Sequence, residues 1–136
     1  MVRARRGGWN RASAVALARR SARWISDCCH DGDSSHHGRV LVDGCGVGMY
    51  VERLGAFSDR VHGLDIEFDR VAEAGQRMDK LVCGAGEYLP YASESFDAVL
   101  SHEVIEHVND DAAAAREIVR VLRSGRRVAM PEQFAN

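Results

Sequence analysis

Apolar positions along this chain fall into short runs and helical stripes that alternate. Val40-Leu41-Val42 is a β-branched run that stops at a glycine-rich turn, and it predicts a buried strand. Val47, Val51 and Leu54 follow at helical spacing, closed by Gly55. Val61 to Ile66 predicts a second strand, and Phe68, Val71, Ala72, Gly75 and Met78 mark a second helix. Leu81-Val82-Cys83 and Phe96 to Leu100 predict strands three and four. Asn109 stands as the cap of a helix whose stripe is Ala115, Ile118, Val119 and Leu122, with Gly125 as its end. Val128-Ala129-Met130 predicts the fifth strand. Strands alternating with helices across short turns predict a parallel, doubly wound α/β sheet.

Residues 1–38 are of another kind. Seven arginines (3, 5, 6, 11, 19, 20 and 23) precede Asp27, with no acid among them. Ala14, Leu17, Ala18, Ser21, Trp24, Ile25 and Cys28 form one helical stripe, with Arg19, Arg20 and Arg23 opposite. This predicts a packed basic amphipathic helix; an organelle transit peptide and a polyanion-binding helix are the alternatives. His30 to Gly38 reads as a polar loop, and residues 39–136 form the second unit, a single cofactor-binding domain.

The net charge of −2 gives no bulk attraction to nucleic acid or to an anionic membrane. No uncharged run approaches the length of a membrane span. Cys28, Cys29, Cys45 and Cys83 show no framework spacing, which predicts a reducing, cytoplasmic setting. Cys28, Cys29, His30, His36 and His37 lack the paired-ligand spacing of structural zinc sites, so no metal is expected.

The chemistry is concentrated at Val40-Leu41-Val42-Asp43-Gly44-Cys45-Gly46-Val47-Gly48. Glycines at a strand's carboxyl end let the backbone turn sharply and let a ligand approach closely, and the helix beyond directs free N–H groups at the same crevice. The spacing is Asp-Gly-x-Gly-x-Gly, with Met49 where a dinucleotide fingerprint wants its last glycine, and this disfavours a nicotinamide enzyme. Asp65 ends the second strand, at the distance along the chain where a carboxylate can accept both ribose hydroxyls of an adenosine.

Together with Gly63-Leu64-Asp65-Ile66, the run Gly86 to Tyr91 leading to Ser95-Phe96-Asp97, and Ser101 to Val108, this motif resembles the class I S-adenosylmethionine-dependent methyltransferases of the small-molecule and lipid type, including those of quinone biosynthesis. The resemblance spans Arg39 to Met130. It implies a Rossmann-like sheet of order 3-2-1-4-5, S-adenosylmethionine as cofactor and S-adenosylhomocysteine as product. Asp43, Gly44, Cys45, Gly46 and Gly48 would line the methionine end. Asp65 would hold the ribose, and Ile66 would pack against the adenine. Backbone at Gly86 and Glu87 would meet the adenine edge, and Ser101 would sit near the sulfonium. Family members often place an acid for the adenine amino group where this chain has Ala85.

Methyl transfer from a sulfonium is an in-line displacement that depends mostly on positioning. An acceptor that must lose a proton also needs a base, for which His102, Glu103 and His107 are the candidates. The motifs of nucleic-acid methylation are missing: Ser101-His102-Glu103 replaces the Asn/Asp-Pro-Pro-aromatic pattern, and neither Pro90 nor Pro131 precedes a cysteine. The expected acceptor is therefore a small organic or lipid-like molecule, with a non-catalytic cofactor-binding module as the alternative. After the fifth strand only Pro131 to Asn136 remain, where the resemblance expects a further helix and two strands. This predicts a fold truncated before its last two strands and a homodimer through an exposed fifth strand.

Overall fold

A computed structural model describes residues 38–55, 58–101, 104 and 108–129, apart from the side chains of residues 126, 127 and 129. The basic N-terminal helix, the polar loop of residues 30–37 and the candidate bases His102, Glu103 and His107 lie outside this set.

Eight elements follow one another: β1 (Val40–Asp43), α1 (Met49–Leu54), β2 (Val61–Asp65), α2 (Phe68–Ala74), β3 (Leu81–Cys83), β4 (Phe96–Ser101), α3 (Asp111–Val121) and β5 (Leu122–Ala129). The strands form one sheet of order β3-β2-β1-β4-β5, the expected order. Every pairing is parallel, and the register places Asp43 beside Leu64 on one flank and Ser101 on the other. The chain therefore reverses its winding at β1, the central strand. In such sheets ligands bind outside the carboxyl ends of the strands at that reversal.

Alternation along β1 divides the core. Val40 and Val42 pack with Tyr50, Val51 and Leu54 of α1 on one face. Leu41 packs with Phe96, Val99 and the α3 residues Ile118 and Val121 on the other. Buried on both faces, β1 reads as a continuous apolar run rather than an alternating one. Fully burying each such side chain stabilises by about 1.5–3 kcal/mol. Asp43 follows the phase of Leu41 and points to the α3 face, although it too is completely buried. No helix among the described residues is long and apolar enough to cross a membrane.

The C-terminal helix departs from the sequence reading. Its cap is Asp110, whose side chain accepts the Ala113 amide at 3.0 Å, and not Asn109. Its buried stripe is Ala114, Ile118 and Val121, whereas Val119 is 70% exposed and Ala115 faces solvent. Alanine fits either face, so the apolar pattern left the phase free by one position. Gly125 does not end this helix: Leu122 turns directly into extended backbone (φ −76°, ψ 138°), and Gly125 lies within β5 at φ 78°. In α2 the buried residue is Ala74; Phe68 is 70% exposed and Ala72 is also exposed. Val47 belongs to the turn before α1 and is exposed.

Candidate functional site

The turn from Gly44 to Gly48 hangs from β2. The Gly44 and Cys45 amides both donate to the Leu64 carbonyl, at 2.8 and 2.9 Å. Gly46 and Gly48 hold φ of 54° and 88°, a region that costs an L side chain free energy. They differ in what a side chain would meet. A Cβ on Gly46 would find nothing nearer than Arg70 Nη1 at 3.9 Å, so this glycine keeps open space open. A Cβ on Gly48 would collide with Met78 and press on Ala74 Cβ at 3.2 Å, so this one lets α2 pack close.

Two carboxylates flank the turn in unlike surroundings. Both Asp65 oxygens are engaged: Oδ2 accepts the Gly46 amide and Oδ1 the Glu67 amide, both at 2.9 Å. Each oxygen keeps a second lone pair that can accept a further hydrogen bond. Asp43 is entirely buried, and neither of its oxygens has a hydrogen-bond partner among the described residues. Burial, and then the charge of Asp65, push the Asp43 carboxyl up to about 7. Cys45 is a free, buried thiol raised to about 11 by burial and then by Asp65, so it is neutral and a poor nucleophile.

Asp43 and Asp65 both line one cavity of about 610 Å³, within the usual range for small-molecule sites. Of the residues expected to bind cofactor, Asp43, Gly44, Cys45, Gly46, Asp65 and Ile66 line it together. Ile66 is 68% exposed and offers an apolar shelf at its rim. The others stand back from the wall. Gly48 is buried against Met78 and Ala74. Ser101 is buried beside Asp43 in the sheet. Gly86 lies one layer deeper, where a Cβ would come within 2.9 Å of Val104 and 3.9 Å of Asp43 Oδ1. Glu87 is half-buried in the same loop.

Arg70, Val104 and Val108 also line the cavity and were not anticipated. Arg70 comes from the first turn of α2, one helical turn past Asp65, and is held by Glu67 at 2.9 Å. No spacing rule selects it, because the proximity arises only when α2 folds back toward the glycine turn.

The profile of the methyltransferase domain family matches residues 41–130. The chain belongs to the class I S-adenosylmethionine-dependent methyltransferases. It is 31% identical over 97 residues to the human mitochondrial ubiquinone biosynthesis O-methyltransferase, covering 64% of this chain and 26% of that protein. It is 36% identical over 101 residues to a demethylmenaquinone methyltransferase of Roseiflexus, covering 70% of this chain and 42% of the relative. The solved structure of an S-adenosylmethionine-dependent methyltransferase from Aquifex aeolicus superposes with a TM-score of 0.69 at 15% identity, over 87% of this chain and 65% of that one. The methyltransferase domain seen here thus spans less than half the length of these curated relatives.

The family's cofactor makes sense of the site's chemical contrasts. S-adenosylmethionine carries cationic centres, a vicinal diol and a flat base. The cavity lining holds a buried carboxylate without a partner among the described residues, a second with acceptor capacity to spare, and an apolar shelf.

Proposed function

We propose that this domain binds S-adenosylmethionine in the Asp43–Asp65 cavity and transfers its methyl group to a small organic or lipid-like acceptor. The observation that carries this reading is Asp43: a residue lining a ligand-sized cavity whose carboxylate is at 0% exposure and has no partner among the described residues. A buried acid in that state favours a cation beside it.

The residues divide the work as follows. Asp43 faces the cationic methionine end, and the open side of Gly46 makes room for it. Asp65 accepts the ribose hydroxyls while its existing bonds hold the turn in place. Ile66 supplies an apolar face for the adenine. Gly48 acts one step back, by letting Met78 and Ala74 buttress the turn. Gly86 and Glu87 belong to the loop behind Asp43 and set that wall. Ser101, at the carboxyl end of β4, marks where the acceptor side begins.

When bound, the cofactor supplies a methyl group already activated by its sulfonium. The domain's own part is to orient and to exclude water. An acceptor hydroxyl would need its proton removed, and His102, Glu103 and His107, which follow Ser101, are the residues proposed for that step. The quinone-type relatives favour a phenolic or other flat organic acceptor. β5 pairs only with β4 among the described residues, and we propose its free edge as the contact with a second copy of the chain.

Calorimetry with S-adenosylhomocysteine tests the reading. Micromolar binding that Asp43→Asn weakens at least about tenfold supports it, and failure of the wild-type chain to bind refutes it. Methyl transfer to a panel of catechols and quinols then separates an enzyme from a module that only binds.

A further inference from the structure

The loop from residue 84 to residue 95, between β3 and β4, is held from outside by a pair of side chains on α3. Glu117 Oε2 accepts the Leu89 amide at 2.8 Å. Arg120 donates to the Leu89 carbonyl at 3.0 Å, the Tyr91 carbonyl at 2.9 Å and Ser93 Oγ at 3.3 Å. The two side chains lock each other through Nε–Oε1 at 2.7 Å and Nη2–Oε2 at 3.0 Å, the fork-to-fork geometry that makes an Arg–carboxylate pair rigid. Each polarises the other in the expected sense, the Glu117 carboxyl lowered and the Arg120 guanidinium raised. An isolated surface pair would contribute little. This one is aimed at the main chain of another segment.

What that segment covers gives the grip its consequence. Leu89 is buried among Ile118, Val121 and Phe96. The Tyr91 ring stands edge-on to Phe96 at 4.9 Å. The Tyr91 phenol is pushed up to about 12 by burial first and then by the charge of Asp43. Gly86, in the same loop, comes so close that a Cβ there would lie 3.9 Å from Asp43 Oδ1. The dryness of Asp43 is therefore a property of the loop's position as much as of β1.

We propose that Glu117 and Arg120 are positioning residues that hold the β3–β4 loop shut over Asp43, and that this closure, acting through Asp43, makes cofactor binding depend on pH. The second half rests on the cofactor reading given above. The titratable groups around Asp43 among the described residues are Asp65 on β2, Cys45 in the glycine turn and Tyr91 in the loop. Ser101, its neighbour on β4, does not titrate in the accessible range, and Arg70, a cation on the cavity wall, is tied to Glu67. Desolvation is the largest influence on Asp43, so admitting water should return it toward an ordinary carboxylate.

The test compares wild type with Arg120→Leu, which removes the grip, and Glu117→Gln, which keeps an oxygen for the Leu89 amide but loses the charge. Carbon-13 NMR titration of the Asp43 carboxyl needs no cofactor. Its midpoint should fall by at least about one pH unit in Arg120→Leu and by less in Glu117→Gln. Hydrogen exchange of peptide 84–91 should accelerate in the same order. With S-adenosylhomocysteine, wild-type affinity should drop about tenfold from pH 8 to pH 6, and that of Arg120→Leu less than twofold. A general loss of stability would weaken binding at both pH values without flattening the profile. Unchanged Asp43 titration and unchanged exchange in a folded variant would overturn the proposal; should Arg120→Leu not fold, Glu117→Gln decides by the same readings. Failure of wild type to bind the ligand would count against the cofactor reading alone, since the titration and exchange still judge the grip.

Discussion

Asp65 and Gly46 are joined by a 2.9 Å hydrogen bond from the glycine amide to carboxylate Oδ2, which ties the end of β2 to the turn after β1. The same carboxylate therefore shapes the turn and, in the proposed reading, accepts the ribose hydroxyls. Asp65→Ala should lower stability by about 2 kcal/mol and weaken S-adenosylhomocysteine at least tenfold. Asp65→Asn keeps a carbonyl oxygen for only one of the two amides, Gly46 or Glu67, so its melting temperature should fall less than that of Asp65→Ala while affinity still falls. Equal melting losses in both variants, read by calorimetric scanning, would show that the tie does not shape the turn.

Gly46 and Gly48, both of positive φ, should fail differently. Gly46→Val projects into open cavity space, so the chain should fold, with about 1–2 kcal/mol of backbone strain, and should lose ligand binding. Gly48→Val adds a collision with Met78 and Ala74, so it should lose more stability than Gly46→Val does. Thermal melts beside binding isotherms check the contrast, and a Gly46→Val chain that binds normally would contradict the site.

Much of this was legible in the sequence, for identifiable reasons. Val40-Leu41-Val42 is buried on both faces, so its apolar run needs no partner to be read, and the glycines after it announce the turn. The α3–β5 junction was not legible, because Leu122 passes from helix to strand with neither glycine nor proline, while Gly125 offered a false stop. Of the site, Asp43, Gly46 and Asp65 carried their own spacing. Glu117 and Arg120 did not: as an i,i+3 pair they look like helix-surface charges until the loop that they hold is seen.

Asp43 gives the unliganded chain a pH signature. Its folded value of about 7 lies above the ordinary aspartate value near 4, so the folded state binds this proton more tightly than the unfolded one. The stabilising contribution is complete below about pH 4 and is lost as pH rises through 7. Asp43→Asn should therefore stabilise the empty chain relative to wild type, more at pH 8 than at pH 5. Urea melts at the two pH values measure this, and an identical mutant-minus-wild-type difference at both would contradict it. Binding near pH 6.5 should also release a proton, visible as a buffer-dependent calorimetric heat.

The corrected helix cap makes a smaller claim. Asp110→Ala removes the acceptor of the Ala113 amide and should cost about 1 kcal/mol, whereas Asn109→Ala should change stability by less than about 0.5 kcal/mol. Chemical denaturation of the two variants side by side checks it, and the reverse ranking would restore Asn109 as the cap.

The unpartnered state of Asp43 reaches beyond the site, to the survival of the protein. Above pH 7 the empty chain holds an ionised acid away from water, and the cofactor cation proposed to bind beside it would remove that penalty only while it stays bound. A ligand present at a hundred times its dissociation constant stabilises a fold by about 2.7 kcal/mol and thins the opened population about a hundredfold. Proteases that cleave opened chains sample that population. In a cell starved of methyl donor, this domain should then be digested sooner than in one well supplied, so that its abundance follows the donor without any regulator to read it.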